Sequence, residues 1–172
     1  MAGGDYVVLM LDSGARPSEV LALRWCDLDF EAKTIRLVAS VGQPKLDAPL
    51  ARKVMKTKSA RRTIPVNPRA LAPLQERRGD VHDEALVFAT SNGRPQDHRN
   101  VSHRWLAPIA SAAGLPRVNL YDLRHTHATR LMEKGVPIFN AAKRLGTSMK
   151  MLESVYAHAT DELQGNVVDL LD

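Results

Sequence analysis

The decapeptide Tyr121-Asp-Leu-Arg-His-Thr-His-Ala-Thr-Arg130 carries charge where a structural helix would carry apolar side chains. At helical spacing Arg124, Ala128 and Leu131 share one face, so this guanidinium belongs among residues expected to be buried. A buried charge without a partner is unfavourable by several kcal/mol, so a carboxylate or a phosphate should meet it. For a lone arginine an internal pair with Asp or Glu is the ordinary answer, and two other cationic positions change the weighing. Arg16 stands just before Pro17-Ser-Glu19, where proline suits a first helical turn and the acid suits the dipole. A cation at that end is misplaced unless it and the free helix amides hold an anion together. Lys53, Lys56, Lys58, Arg61 and Arg62 then crowd one short stretch. Edge-strand lysines that discourage aggregation explain such a stretch, and so does a lysine reaching into a phosphate site. A clamped phosphate is the chemistry common to all three places.

These residues must be positioned by elements, and the apolar periodicity gives their outline. Asp5 to Leu11 reads as a short apolar helix ended at Gly14, and Ala15 to Trp25 as a helix with Val20, Leu21 and Trp25 as its stripe. From Asp27 to Val66 the period becomes two. The runs 34–38, 50–55 and 62–66 predict a small antiparallel three-stranded sheet, with a loop over Gly42 to Pro49 and a basic hairpin over Lys56 to Ala60. Helices are predicted over 68–78, over 97–113 with a bend at Pro108, from Tyr121 to Gly135, and over 137–145 up to Gly146. Ser148 is placed to cap a helix over 149–158, and 161–171 is a last amphipathic segment. His98, Arg99, His103 and Arg104 decorate the start of the 97–113 helix, where a solvated face explains them as readily as phosphate contacts. The fold class is mainly α with a small antiparallel sheet, in one domain over 1–172.

Composition limits the function classes. The chain has 172 residues, 24 Lys plus Arg against 19 Asp plus Glu, and one cysteine. A basic balance suits a polyanionic partner. Aromatic residues make up 5%, too few for base-stacking platforms, which leaves contact with a duplex backbone. Cys26 allows no internal disulfide, and no Cys/His spacing suits a metal, so neither metal nor cofactor is expected. No run is long enough to span a membrane, and a cytoplasmic setting is expected.

The ordered motifs resemble the tyrosine recombinases, the phage integrase type of site-specific recombinase, over about residues 6 to 160. Ser13-Gly-Ala-Arg-Pro-Ser-Glu-Val-Leu-Ala-Leu-Arg-Trp25 is similar to the first-arginine motif, with Arg16 catalytic and Glu19 its acidic companion. Lys56-Thr-Lys-Ser-Ala-Arg-Arg-Thr-Ile-Pro65 resembles the β-hairpin motif, which implies Lys56 as the catalytic lysine with Lys58 as competitor. Asp122-Leu-Arg-His-Thr-His-Ala-Thr129 resembles the second-arginine motif and gives Arg124, with His125 in support. Leu145-Gly-Thr-Ser148 and Val155-Tyr-Ala-His158 resemble the last motif and make Tyr156 the nucleophile. Tyr121 stands where the family usually has histidine, and Thr147 where it has histidine or tryptophan. Tyrosine is a poor proton acceptor near neutral pH and threonine carries no charge.

The resemblance implies an integrase-like catalytic domain of the DNA breaking-rejoining fold. It implies metal-free cleavage of double-stranded DNA through a 3′-phosphotyrosyl link, with two arginines on the non-bridging oxygens and a lysine protonating the 5′-oxygen. Lys53, Arg61, Arg62 and Arg104 are the expected DNA contacts. A core-binding domain is expected to be missing before Asp5, and the assembly is expected to be a tetramer on two DNA sites and a monomer when isolated. Two other readings remain: a DNA-binding relative impaired at Tyr121 and Thr147, and a type IB topoisomerase-like enzyme.

Overall fold

A computed structural model describes residues 2–43, 48–55 and 60–153. Helix α1 (Ala2–Ser13) buries Tyr6, Leu9 and Met10. Tyr6 meets Phe88 edge-on at 5.3 Å between ring centroids and Trp105 at 5.6 Å, which ties the helix to two distant segments. Gly14 ends α1 in the left-handed region at φ +63°, as the sequence requires of a helix stop.

Helix α2 (Pro17–Val20) is much shorter than the 15–25 run anticipated. Val20, Leu21, Ala22, Leu23 and Trp25 are all buried, so the segment has no solvent face for a continuing amphipathic helix. The chain instead extends beside residues 85–87: Trp25 N–H donates to Ala85 O (3.1 Å) and Leu23 O accepts from Val87 N–H (2.9 Å).

The β region also differs from one three-stranded sheet. Strands β1 (Leu28–Asp29), β2 (Thr34–Leu37) and β5 (Arg62–Pro65) form a sheet of order β1-β2-β5, while β3 (Ala39–Gly42) pairs with β4 (Ala51–Val54), all antiparallel. Ile35, Leu37, Ala39 and Val41 alternate inward without a break, so β2 and β3 are one run whose partner changes at Val38. There Val38 O accepts from Met55 N–H at 2.9 Å. Period two was visible in the residues; the exchange of partners is a tertiary event.

Helix α3 (Pro68–Arg78) has the anticipated bounds, capped by Asn67. Helix α4 (His98–Val101), a π-helical turn (Ser102–Leu106) and α5 (Ala107–Ala112) run on from one another. Pro108 has no N–H to give, and just before it the helix widens into a π turn in which Ala107 N–H reaches Ser102 O. Helix α6 (Leu120–Glu133) begins at a box in which Asn119 accepts from the Tyr121 and Asp122 amides and Asp122 accepts from that of Asn119. Helix α7 (Ile138–Leu145) ends at Gly146, φ +64°. Ser148 Oγ accepts from Met151 N–H at 3.2 Å and 149–153 is helical; the rest of that helix and 161–171 lie outside the described residues. Helix α6 joins two cores: Leu120 and Leu123 pack with α1, and Ala128 and Met132 pack with Ala141, Ala142 and Leu145. Arg124 lies at the seam.

Candidate active site

Glu19, with 2% of its side chain exposed, is the hub of the site. It accepts from Arg16 N–H (2.8 Å), Arg16 Nη1 (2.9 Å), Arg62 Nη1 (3.1 Å) and Arg62 Nη2 (2.8 Å). Burial pushes its carboxyl upward, but the Arg62 and Arg16 bonds and charges outweigh that and hold it below the usual carboxylate range. Arg16 is therefore a capping residue whose backbone and fork are both fixed by one acid. Its other terminal nitrogen, Nη2, donates to Gly146 O at 2.7 Å, and 36% of the side chain stays exposed.

Arg124 reaches the same place from α6, one helical turn beyond Tyr121, and donates through Nη1 to Gly14 O at 2.7 Å. Among the described residues no carboxylate lies within ion-pair distance of it. Burial, then the charges of Arg16 and Arg62, lower its pKa to about 10, with Glu19 opposing. Among the described residues the internal pair that would explain a lone arginine is missing, and the guanidinium is held by a carbonyl beside like charges. An anion is the partner that would relieve it.

The supports are two glycines in crossed arrangement: Gly14 O takes Arg124, and Gly146 O takes Arg16. Both are left-handed. A Cβ at Gly14 would come within 2.4 Å of His127 Cδ2, and one at Gly146 within 2.6 Å of Arg62 Nη1, so neither position tolerates a side chain. Behind them Arg144 donates from Nε to His127 Nε2 (3.0 Å), from Nη1 to Pro65 O (3.0 Å) and from Nη2 to Asp12 O (2.9 Å). His127 Nδ1 meets Leu11 O at 2.9 Å. Burial holds its pKa below the ordinary histidine value, and the Arg144 charge adds to this.

The structure brings together Arg16, Glu19, Arg62, Arg124 and Gly146, with Thr147 half-buried next to the last. Thr147 N–H is used to close the end of α7 on Ala142 O (3.1 Å). Tyr121 is exposed on the first turn of α6, and His125 is an exposed residue of the next turn. Arg62 departs from the expectation of a DNA contact: its side chain is 8% exposed and is used up by Glu19, Arg144 O and Ala60 O. Arg61 is exposed with Nε on Met55 O, and Lys53 is exposed on β4. Arg104 is exposed at the far end of α1, beside Ala2 to Asp5, away from the arginine pair. Lys56, Lys58 and Tyr156 lie outside the described residues. Sequence reasoning missed Arg144 altogether. A basic residue in the last turn of a helix is what the dipole favours anyway, so its type and position gave no signal.

Residues 5–162 match the phage integrase family. The chain is 30% identical to a "Tyrosine recombinase XerC-like" protein of Caldanaerobacter subterraneus subsp. tengcongensis, covering 96% of this chain and 48% of that one. It is 27% identical to an "Integrase" of Staphylococcus phage L54a, over 93% of this chain and 49% of the relative. The chain thus spans about half the length of these relatives. Among solved structures it superposes on the Tn1549 transposon integrase in complex with transposon right end DNA, at a TM-score of 0.79 and 25% identity over 98% of this chain and 58% of that one. The fold is also that of the XerA recombinase, at a TM-score of 0.72 over 96% of this chain and 56% of the other. The match over residues 5–162, together with this fold, places the chain in the phage integrase family.

Proposed function

We propose that this chain is the catalytic part of a site-specific DNA recombinase that cuts and rejoins double-stranded DNA through a 3′-phosphotyrosyl link. The observation that carries the reading is Arg124, a half-buried guanidinium that no carboxylate among the described residues pairs, beside the Glu19-anchored Arg16. Two planar forks held by carbonyls fit the two non-bridging oxygens of a phosphodiester and stabilise the charge that grows on them as phosphorus is attacked. Tyr156 Oη forms the new bond to phosphorus, the bond to the 5′-oxygen breaks, and Lys56 gives that oxygen its proton. A tyrosine has a pKa of about 10 in water, and the field of Arg16 and Arg124 favours its phenolate. His125, one residue after Arg124, is the proposed acceptor of its proton. Tyr121 and Thr147 supply hydrogen bonds at the rim. Lys53, Arg61 and Arg104 serve as backbone contacts, and a tetramer on two DNA sites is the proposed assembly. That the Tn1549 integrase was solved on DNA supports the duplex as partner.

The test is covalent trapping on the full-length product of the gene. A pool of nicked duplexes whose short 5′ fragment diffuses away after cleavage should give a protein–DNA adduct on a denaturing gel, and sequencing the trapped DNA reports the site. Tyr156→Phe should abolish the adduct. An adduct that survives this change refutes the nucleophile, and no adduct with the unsubstituted protein favours an inert DNA binder.

A further inference from the structure

Arg144 and His127 have no part in the chemistry just described, yet they join the segments next to the two glycines whose carbonyls hold its arginines. His127 lies on α6 at the third residue after Arg124. Its Nε2 accepts from a guanidinium that stays protonated, so the ring is held as the neutral tautomer with the hydrogen on Nδ1, donated to Leu11 O at 2.9 Å. Arg144 touches the end of α1 at Asp12 O and the end of β5 at Pro65 O, and its own carbonyl accepts from Arg62 Nε at 2.9 Å. One guanidinium in the last turn of α7 thereby bridges four elements. Two residues beyond Asp12 is Gly14, and two residues beyond Arg144 is Gly146, whose carbonyls aim Arg124 and Arg16.

All three acceptors of Arg144 are neutral: two carbonyls and an imidazole. A cation placed only for stability would gain more from a carboxylate, and the Asp12 carboxylate is near but engaged by Asn67 N–H at 2.7 Å. The arrangement holds geometry rather than neutralising charge. We propose that Arg144, acting through His127 and Asp12, is a positioning residue that locks the Gly14 and Gly146 carbonyls together and so sets the angle between the Arg16 and Arg124 forks. This rests on the phosphoryl-transfer reading of the site.

The experiment compares adduct formation at saturating DNA on two nicked duplexes carrying the recovered site, one with the natural scissile phosphate and one with a neutral methylphosphonate there. Misaligning a clamp by about an ångström slows a reaction by on the order of 100-fold. Arg144→Gln should therefore slow adduct formation roughly 10- to 100-fold on the phosphate with unchanged DNA affinity. On the methylphosphonate, with one non-bridging oxygen left and less charge to clamp, the deficit should shrink to about threefold or less. Arg144→Lys, which keeps the charge and loses the fork, should fall between. Where Arg144→Gln does not fold, His127→Asn, which leaves the bonds of Arg144 to Pro65 and Asp12, carries the same comparison with a smaller deficit on the phosphate that again shrinks on the methylphosphonate. Unchanged rates, or equal deficits on both duplexes, overturn the proposal. No adduct with the unsubstituted protein overturns instead the reading on which it rests.

Discussion

The same local device occurs twice, eight residues apart, with different outcomes. At Arg16–Glu19 and again at Arg24–Asp27, an arginine caps a short helical turn and its backbone N–H is taken by the acid three residues on. Both acids have 2% of their side chain exposed, and each binds two guanidiniums: Arg16 and Arg62 on Glu19, Arg36 and Arg52 on Asp27. At Asp27 the charges stay local, with the capping Arg24 turned away to Glu84 and Arg52 also on Ala22 O at 2.8 Å. At Glu19 a third guanidinium, Arg124, is added without a second carboxylate among the described residues. The Asp27 device ties β2 and β4 to the turn before β1. The Glu19 device carries one guanidinium more, Arg124, which a carbonyl and no described carboxylate meets. A buried acid with arginines is therefore no mark of function by itself, and the further guanidinium is what separates the two.

The largest expected effect breaks both devices. Removing one partner from a buried charge cluster typically costs ~3–5 kcal/mol. Glu19→Gln should lose about that much in urea unfolding and give no adduct, because Arg16 loses its anchor. Asp27→Asn should also lose stability, by about 2–4 kcal/mol, while adduct formation per folded molecule stays within about threefold of the parent. Equal losses of activity in the two variants would erase the distinction.

A smaller effect separates the supports from ordinary turns. Gly14→Ala combines a left-handed backbone with a 2.4 Å approach to His127 and should cost about 2–4 kcal/mol. Gly114 is left-handed too, but open around its Cβ position, so Gly114→Ala should cost only about 1 kcal/mol. Thermal unfolding of the two variants checks the order.

Much of the site was legible because charge broke a pattern: Arg124 on an apolar helical face and Arg16 at a helix mouth both violate the simplest reading of their elements. The bounds of α3 followed from its amphipathic run starting at Pro68, and the strands from period two. What was hidden is what depends on contacts distant in sequence. Basic composition around Arg61 and Arg62 gave no sign that one faces solvent and the other lies beneath Glu19. The partner exchange at Val38 needed β4 and β5 in place. The helix expected up to Trp25 stopped early because its far side is covered by 85–87.

The smallest effect is in pH. The folded His127 ring binds its second proton less readily than an unfolded histidine of pKa about 6.5, because it is buried and faces Arg144. Below that pH the unfolded chain takes up more protons than the folded one, so stability should fall as pH drops from about 6.5 toward the depressed folded value. His127→Asn should flatten that part of the melting-temperature profile, while Asp27→Asn should leave it in place.

Whether Arg124 serves a phosphate or the fold is read most directly by pairing the melting temperature with the adduct yield of Arg124→Gln. With a phosphate as its partner, the melting temperature should equal or exceed that of the parent, since a desolvated cation among like charges is removed, and the adduct should be lost. A clearly lower melting temperature with the adduct retained would contradict a phosphate partner, and Arg124 would then be a structural arginine.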